Sequence, residues 1–162
     1  MTMMTGSLAA ALESEHHEID DGIAAFTAAS GDPQPLVHAI RALRRHIYLE
    51  EEILFPLLSA AEPALRAPVF VMLREHAQMW PLLDSLEQDI DAGSDIAPAR
   101  IRQLTSYLLH HNMKEEKVLY PRTDEVLPPA EADRLRTFLD SGQTPDGWVC
   151  TKARPTSQET AR

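Results

Sequence analysis

Residues 46–56 read HIYLEEEILFP and residues 111–121 read HNMKEEKVLYP. Laid over each other at a constant offset, 111 − 46 = 65, both spell His-x-x-x-Glu-Glu-x-x-Leu-aromatic-Pro. Further upstream, Glu15-His16-His17-Glu18-Ile19 lies over Glu75-His76-Ala77-Gln78-Met79 at an offset of 76 − 16 = 60. An internal repeat of this kind makes the chain two helical hairpins of one pattern. Each hairpin contributes one histidine from its first helix and a His-x-x-x-Glu pair from its second.

The flanking sequence supports that division. Leu8, Leu12, His16, Ile19, Ile23 and Phe26 recur at spacings of three and four, which is one stripe of a helix. Three further stripes follow: Leu43, His46, Glu50, Ile53 and Leu57; Val69, Leu73, His76, Trp80 and Leu83; and Ile101, Leu104, Leu108, His111, Glu115 and Val118. Breakers separate them. Gly6-Ser7 precedes the first helix, Gly31-Asp32-Pro33 ends it, Glu62-Pro63 opens the third, and Gly93-Ser94 closes that one. The fourth runs from about Ala97-Pro98 to Val126, and Pro128-Pro129 sets off a short amphipathic piece ending at Asp140. Pro56, Pro81 and Pro121 are expected to kink or terminate their helices. No window shows sustained period-two alternation. The expected fold is all-α: an antiparallel up-down four-helix bundle over residues 1–140 with a short fifth helix. Residues 141–162, polar around a lone Trp148, read as a flexible or loosely docked tail.

Bulk properties exclude several functions. At 162 residues the chain is one domain's worth, and 44% hydrophobic with 25% charged is an ordinary globular balance. A net charge of -10 argues against nucleic-acid binding, which needs clustered Lys and Arg. No segment approaches the roughly 18 uninterrupted apolar residues of a membrane span, and Met1–Ala11 lacks the basic start of a secretory signal. Cys150 is the only cysteine, so no internal disulfide is possible. A reducing, cytoplasmic setting is expected.

Residues four apart on a helix share a face, with Cβ atoms about 5 to 6 Å apart, so an imidazole and a carboxylate at that spacing reach the same ion. Two facing hairpins bring His16, His46, Glu50, His76, His111 and Glu115 to one level, with the carboxylates placed to bridge two ions. A lone histidine on an apolar stripe is ordinarily a hydrogen-bonded core residue. Here the duplicated set without a cation would bury two unpaired charges, at several kcal/mol each. Nitrogen and oxygen ligation without thiolate suits iron, manganese or zinc. His17 and His110 adjoin proposed ligands but are rotated by about 100°, and with His38 they read as surface residues. Glu51 and Glu116 read as outer neighbours of the ligands or a solvated face. Tyr107, one turn before His111, is a candidate for the second layer around the site.

These motifs, Glu15-His16, His46-x-x-x-Glu50, Glu75-His76 and His111-x-x-x-Glu115, resemble the hemerythrin-like, HHE cation-binding family over about residues 8 to 125. The resemblance implies an up-down four-helix bundle holding two iron ions with a bridging oxo or hydroxo group. It also implies roles in binding or sensing dioxygen, nitric oxide or peroxide, or in iron handling. The ligands implied are His16, His46, Glu50, His76, His111 and Glu115. Two positions depart from classical oxygen-carrying hemerythrin. Trp80 stands where that protein has a second histidine on the third helix, and Glu115 follows His111 by four residues where it has Asp after five. The site in this respect more resembles the bacterial HHE branch. A missing nitrogen ligand opens a coordination position and favours redox turnover or sensing over simple carriage. A peroxide-consuming enzyme and a zinc- or single-metal structural module are the alternatives.

Overall fold

The computed structural model describes residues 6–29 and 31–155, among which there is no strand. Four helical rods form the bundle. The first is α1 (Leu8–Ala28) and the third is α4 (Arg66–Asp91), entered through a 3₁₀ turn at Pro63–Leu65. The second joins α2 (Gln34–Leu49) to α3 (Phe55–Ala61) through a π-helical turn, π1 (Glu50–Leu54). The fourth joins α5 (Pro98–Lys114) to α6 (Tyr120–Val126) through π2 (Glu115–Leu119). A fifth helix, α7 (Pro129–Ser141), packs on the bundle through the buried Leu135.

The ends of α1 show how the rods are fixed. Ser7 Oγ accepts from the Ala10 amide at 3.0 Å, and the Asp124 carboxylate, brought over from α6, accepts from the Leu8 and Ala9 amides. Otherwise unpartnered N–H groups and the positive end of the helix dipole are thereby satisfied. Gly31 and Gly93, at φ +88° and +69°, make the turns between the first and second and the third and fourth rods, where a side chain would be strained. Within α1, Gly22 lets α2 approach closely: a Cβ there would sit 3.0 Å from that of Ala39.

The repeated proline has a different effect from the one expected. Pro56 and Pro121 do not end their rods, which continue as α3 and α6. Each falls two residues after the end of a π turn, where Phe55 N–H donates to Glu50 O and Tyr120 N–H to Glu115 O. A proline ring crowds the carbonyl four residues before it and brings no N–H of its own, and a wider turn relieves both problems. Pro81 lies inside α4, which runs on through it. The π turn also advances the buried stripe by one residue. Val118, expected in the core, is exposed, whereas Leu119 is buried. In the other copy Leu54 and Leu58 are fully buried and Leu57 is only half-buried.

Two apolar blocks fill the bundle. One contains Ile19, Ile23, Ile40, Leu43, Met79, Trp80, Leu83, Leu104 and Leu108; the other contains Leu8, Leu12, Leu54, Phe55, Leu58, Val69, Met72, Leu119 and Leu135. Between them lies a polar layer of His16, His46, Glu50, His76, His111 and Glu115, each at most 3% exposed.

Of residues 141–162, expected to be a flexible or loosely docked tail, Ser141 ends α7, residues 142–155 run back along the bundle, and 156–162 lie outside the described residues. Trp148 packs edge-on against Trp80 and Tyr48, and Cys150 is fully buried in the first block. Composition alone suggested a tail, but the short apolar run Trp148-Val149-Cys150 supplies surface that the bundle can cover. No helix among the described residues is long and apolar enough to cross a membrane.

Candidate metal centre

The six residues singled out by the repeat converge. His76 Nε2 lies 3.3 Å from Glu50 Oε1, His111 Nε2 lies 3.2 Å from Glu115 Oε1, and His16 Nε2 lies 3.2 Å from that same oxygen. His16 Nε2 and His46 Nε2 are 3.1 Å apart. Two clusters of donor atoms result, Glu50-His76-His111-Glu115 and His16-His46-Glu115, with Glu115 common to both. Their two imidazole pairs match: the His16–His46 and His76–His111 ring centroids are each 4.8 Å apart.

Every imidazole turns Nε2 inward because a carboxylate holds its Nδ1. Glu116 sits 3.1 Å from Nδ1 of His16, Glu15 2.8 Å from that of His46, Glu51 2.7 Å from that of His76, and Glu75 3.0 Å from that of His111. This outer ring repeats with the sequence. Glu15 and Glu75 immediately precede His16 and His76; Glu51 and Glu116 are the second acidic residues of the duplicated motif. The π turn presents both consecutive glutamates inward, Glu50 to the centre and Glu51 to a neighbouring histidine. Sequence reasoning quoted Glu15 and Glu75 without giving them a role, although their duplication one residue before each histidine was the available signal.

The structure also replaces one sequence candidate with another. Tyr107 is half-buried against the first apolar block, and its hydroxyl accepts from Gln103 Nε2 at 3.4 Å. Tyr120 stands at the centre instead. Its fully buried hydroxyl donates toward Glu50 Oε2 at 2.9 Å and Glu115 Oε1 at 3.2 Å, and lies 2.9 Å from Nε2 of both His16 and His46. Its counterpart in the repeat, Phe55, stacks on His76 at 5.8 Å. The missed signal was a hydroxyl on the aromatic of the second motif copy. His17, His38 and His110 are exposed, as the stripe assignment required.

Electrostatics shows what the layer lacks. Burial opposes a proton on His111, yet the Glu115 charge and the Glu115 and Glu75 hydrogen bonds outweigh it and hold the imidazole up at about 10. His46 and His76 are raised for the same kind of reason: burial is overcome by Glu50 and Glu15 at His46 and by Glu50 and Glu51 at His76. Glu115 is held well below the usual carboxylate range, because the adjacent imidazoles prevail over its burial. Burial and the Glu115 and Glu50 charges push Tyr120 well up, so it stays a phenol. Protons on histidine thus stand in for missing positive charge. They do so incompletely: Glu50 Oε1 and His76 Nε2 face each other at 3.3 Å without forming a hydrogen bond, and among the described residues Glu115 Oε2 has no hydrogen-bond partner. Orphaned donor atoms of this kind cost about 1–3 kcal/mol each, and a shared cation satisfies all three. Cation–nitrogen and cation–oxygen bonds near 2.1 Å put neighbouring ligand atoms about 3 Å apart, close to the spacings present here.

Fold and site together define a helical bundle with a histidine and carboxylate centre that can hold metal. The Hemerythrin HHE cation binding domain matches residues 7–123, and the chain belongs to that family. Comparison with curated proteins and with solved structures returns no significant match.

Proposed function

We propose that this chain is a non-haem di-iron protein that binds or senses dioxygen or a related small molecule, nitric oxide or peroxide. The observation that carries this reading is the pair of donor clusters sharing Glu115, with four imidazoles pre-aimed by four carboxylates. An outer hydrogen bond that fixes tautomer and ring orientation is the usual arrangement of ligand histidines. Glu50, His76, His111 and Glu115 would hold one ion, and His16, His46 and Glu115 the other. Iron bound there supplies one-electron redox change and coordination positions open to a small molecule. The residues of the chain do the rest. The two apolar blocks exclude water, the outer carboxylates keep Nδ1–H in place, and the Tyr120 phenol offers a proton at the centre of the layer. Its single thiol, Cys150, is buried, and we place the protein in the cytoplasm.

Tyr120 favours one second reading, peroxide disproportionation or reduction at the same centre, because a neutral phenol donates a proton where oxygen chemistry would occur. Metal analysis with an ultraviolet-visible spectrum, taken before and after reduction and re-exposure to air, nitric oxide or peroxide, tests both. About two irons per chain and a spectral response to one of these molecules are expected for the first reading. Oxygen release from peroxide that His46→Ala abolishes would establish the second. A colourless protein holding zinc, or nothing after anaerobic iron loading, removes both and leaves a structural metal module.

A further inference from the structure

The four outer carboxylates are not supported alike. Glu116 is one-third exposed, and Glu75 is bonded to the half-exposed Lys114. Glu51, by contrast, has a side chain only 1% exposed, and its second partner is a backbone amide, where Glu15 and Glu75 take theirs from the side chains of Arg45 and Lys114. Oε2 holds Nδ1 of His76 at 2.7 Å, while Oε1 accepts the backbone N–H of Thr151 at 2.8 Å. That amide comes from residues 148–154, beyond the stretch that matches the HHE domain.

We infer that residues 148–154 are a brace that positions the His76 side of the metal centre through Glu51. The segment is seated at several points. Trp148 Nε1 donates to Glu52 at 3.0 Å, and its ring meets Trp80 and Tyr48 edge-on at 5.6 and 5.1 Å. Cys150 is fully buried, and Lys152 sits over the Phe70 ring at 4.6 Å. Arg154 donates to Val149 O at 2.8 Å, which closes the 3₁₀ turn Thr151–Ala153 on itself. A carboxylate held at one oxygen rotates about its Cγ–Cδ bond; held at both, it keeps one plane. Glu51 therefore fixes the His76 ring with Nε2 toward Glu50, and the brace fixes Glu51. Among the described residues no such segment bonds the corresponding position in the second hairpin, Glu116. The inference rests on the di-iron reading, since a held His76 matters only if its Nε2 ligates.

A single substitution isolates the brace. Thr151 opens its 3₁₀ turn, where proline is tolerated, and Cys150 at ψ 145° has the extended conformation required before proline. Thr151→Pro therefore removes the N–H and places its ring Cδ where Glu51 Oε1 now sits, which breaks the contact outright; Thr151→Ala keeps it. In full-length iron-loaded protein, release to a ferrous chelator should become biphasic in Thr151→Pro. One ion per chain should leave about tenfold faster, the scale of a lost outer-layer partner, with the other unchanged. Thr151→Ala should match the unsubstituted protein. Equal release from both variants overturns the brace while leaving the di-iron reading intact. Failure of the unsubstituted protein to bind two ions overturns the reading beneath it. If Thr151→Pro does not melt cooperatively, amide exchange of the unsubstituted protein decides: slow exchange at Thr151 supports the brace, and exchange at the free-chain rate overturns it.

Discussion

The first hairpin, residues 8–61, and the second, residues 66–126, face each other across the polar layer with the same side chains. Each supplies a Glu-His pair from its first rod and His-x-x-x-Glu-Glu from its second, and each carries a π turn that ends two residues before its proline. They differ at one inward position, where Phe55 stacks on His76 and Tyr120 reaches Glu50, Glu115, His16 and His46. They differ also outside the layer. Glu15 of the first hairpin is tied through Arg45 to the carbonyl ends of α7, and Glu51 to the Thr151 amide. Glu75 and Glu116 of the second meet a half-exposed lysine and solvent. Duplication thus produces matched inner side chains, while a single hydroxyl and the C-terminal segment make the two donor clusters chemically unequal.

The matched part is broken most severely by removing a shared ligand. Glu115→Ala, which touches both clusters, should abolish retention of both ions after desalting, and Glu50→Ala should release one first. Metal analysis reads this directly, and equal loss from Glu116→Ala would show that the inner and outer glutamates are interchangeable. The next largest effect is on pH. With His111 held at about 10 against an ordinary 6.5, its contribution to the stability of metal-free protein is fully present below pH 6.5. It is lost as pH rises through 10, a change on the order of a few kcal/mol. Iron-loaded protein should show the opposite slope at acid pH, because protons displace metal from imidazole and carboxylate. Parallel curves for the two forms in chemical denaturation would mean that protons and metal do not occupy the same groups.

Smaller effects probe the asymmetry. Tyr120→Phe makes the two hairpins alike inside. It should keep the metal content, lower the stability of metal-free protein by about 1–3 kcal/mol through unpartnered carboxylate oxygens, and change the spectral response to peroxide. An unchanged response would confine Tyr120 to a structural role. Least affected should be Lys114→Ala, since its pair with Glu75 is half-exposed. A shift below about 1 kcal/mol that vanishes in high salt is expected in a thermal melt.

The repeat made the helices and all six inner residues legible, because residues four apart on a stripe meet irrespective of how the rods are placed. The π turns were not legible, since hydrophobic periodicity was read with a constant helical period. That assumption put Val118 inside and Leu119 nowhere. It also set Tyr107, an α-helical turn from His111, ahead of Tyr120, which a wide turn and the packing of four rods bring to the centre. Partners such as Thr151 and Glu51, one hundred residues apart, depend on tertiary contact alone.

The polar layer between its two apolar blocks also has the character of a room with a closed floor and ceiling. Apolar side chains lie on either side of it along the bundle, and the four outer carboxylates stand around its edge. Three of these stand at windows, Glu15, Glu75 and Glu116 at 17%, 20% and 33% exposed, and Glu51 stands at a wall. The layer is thus closest to water at its sides, and its most exposed outer carboxylate is Glu116, beside His16.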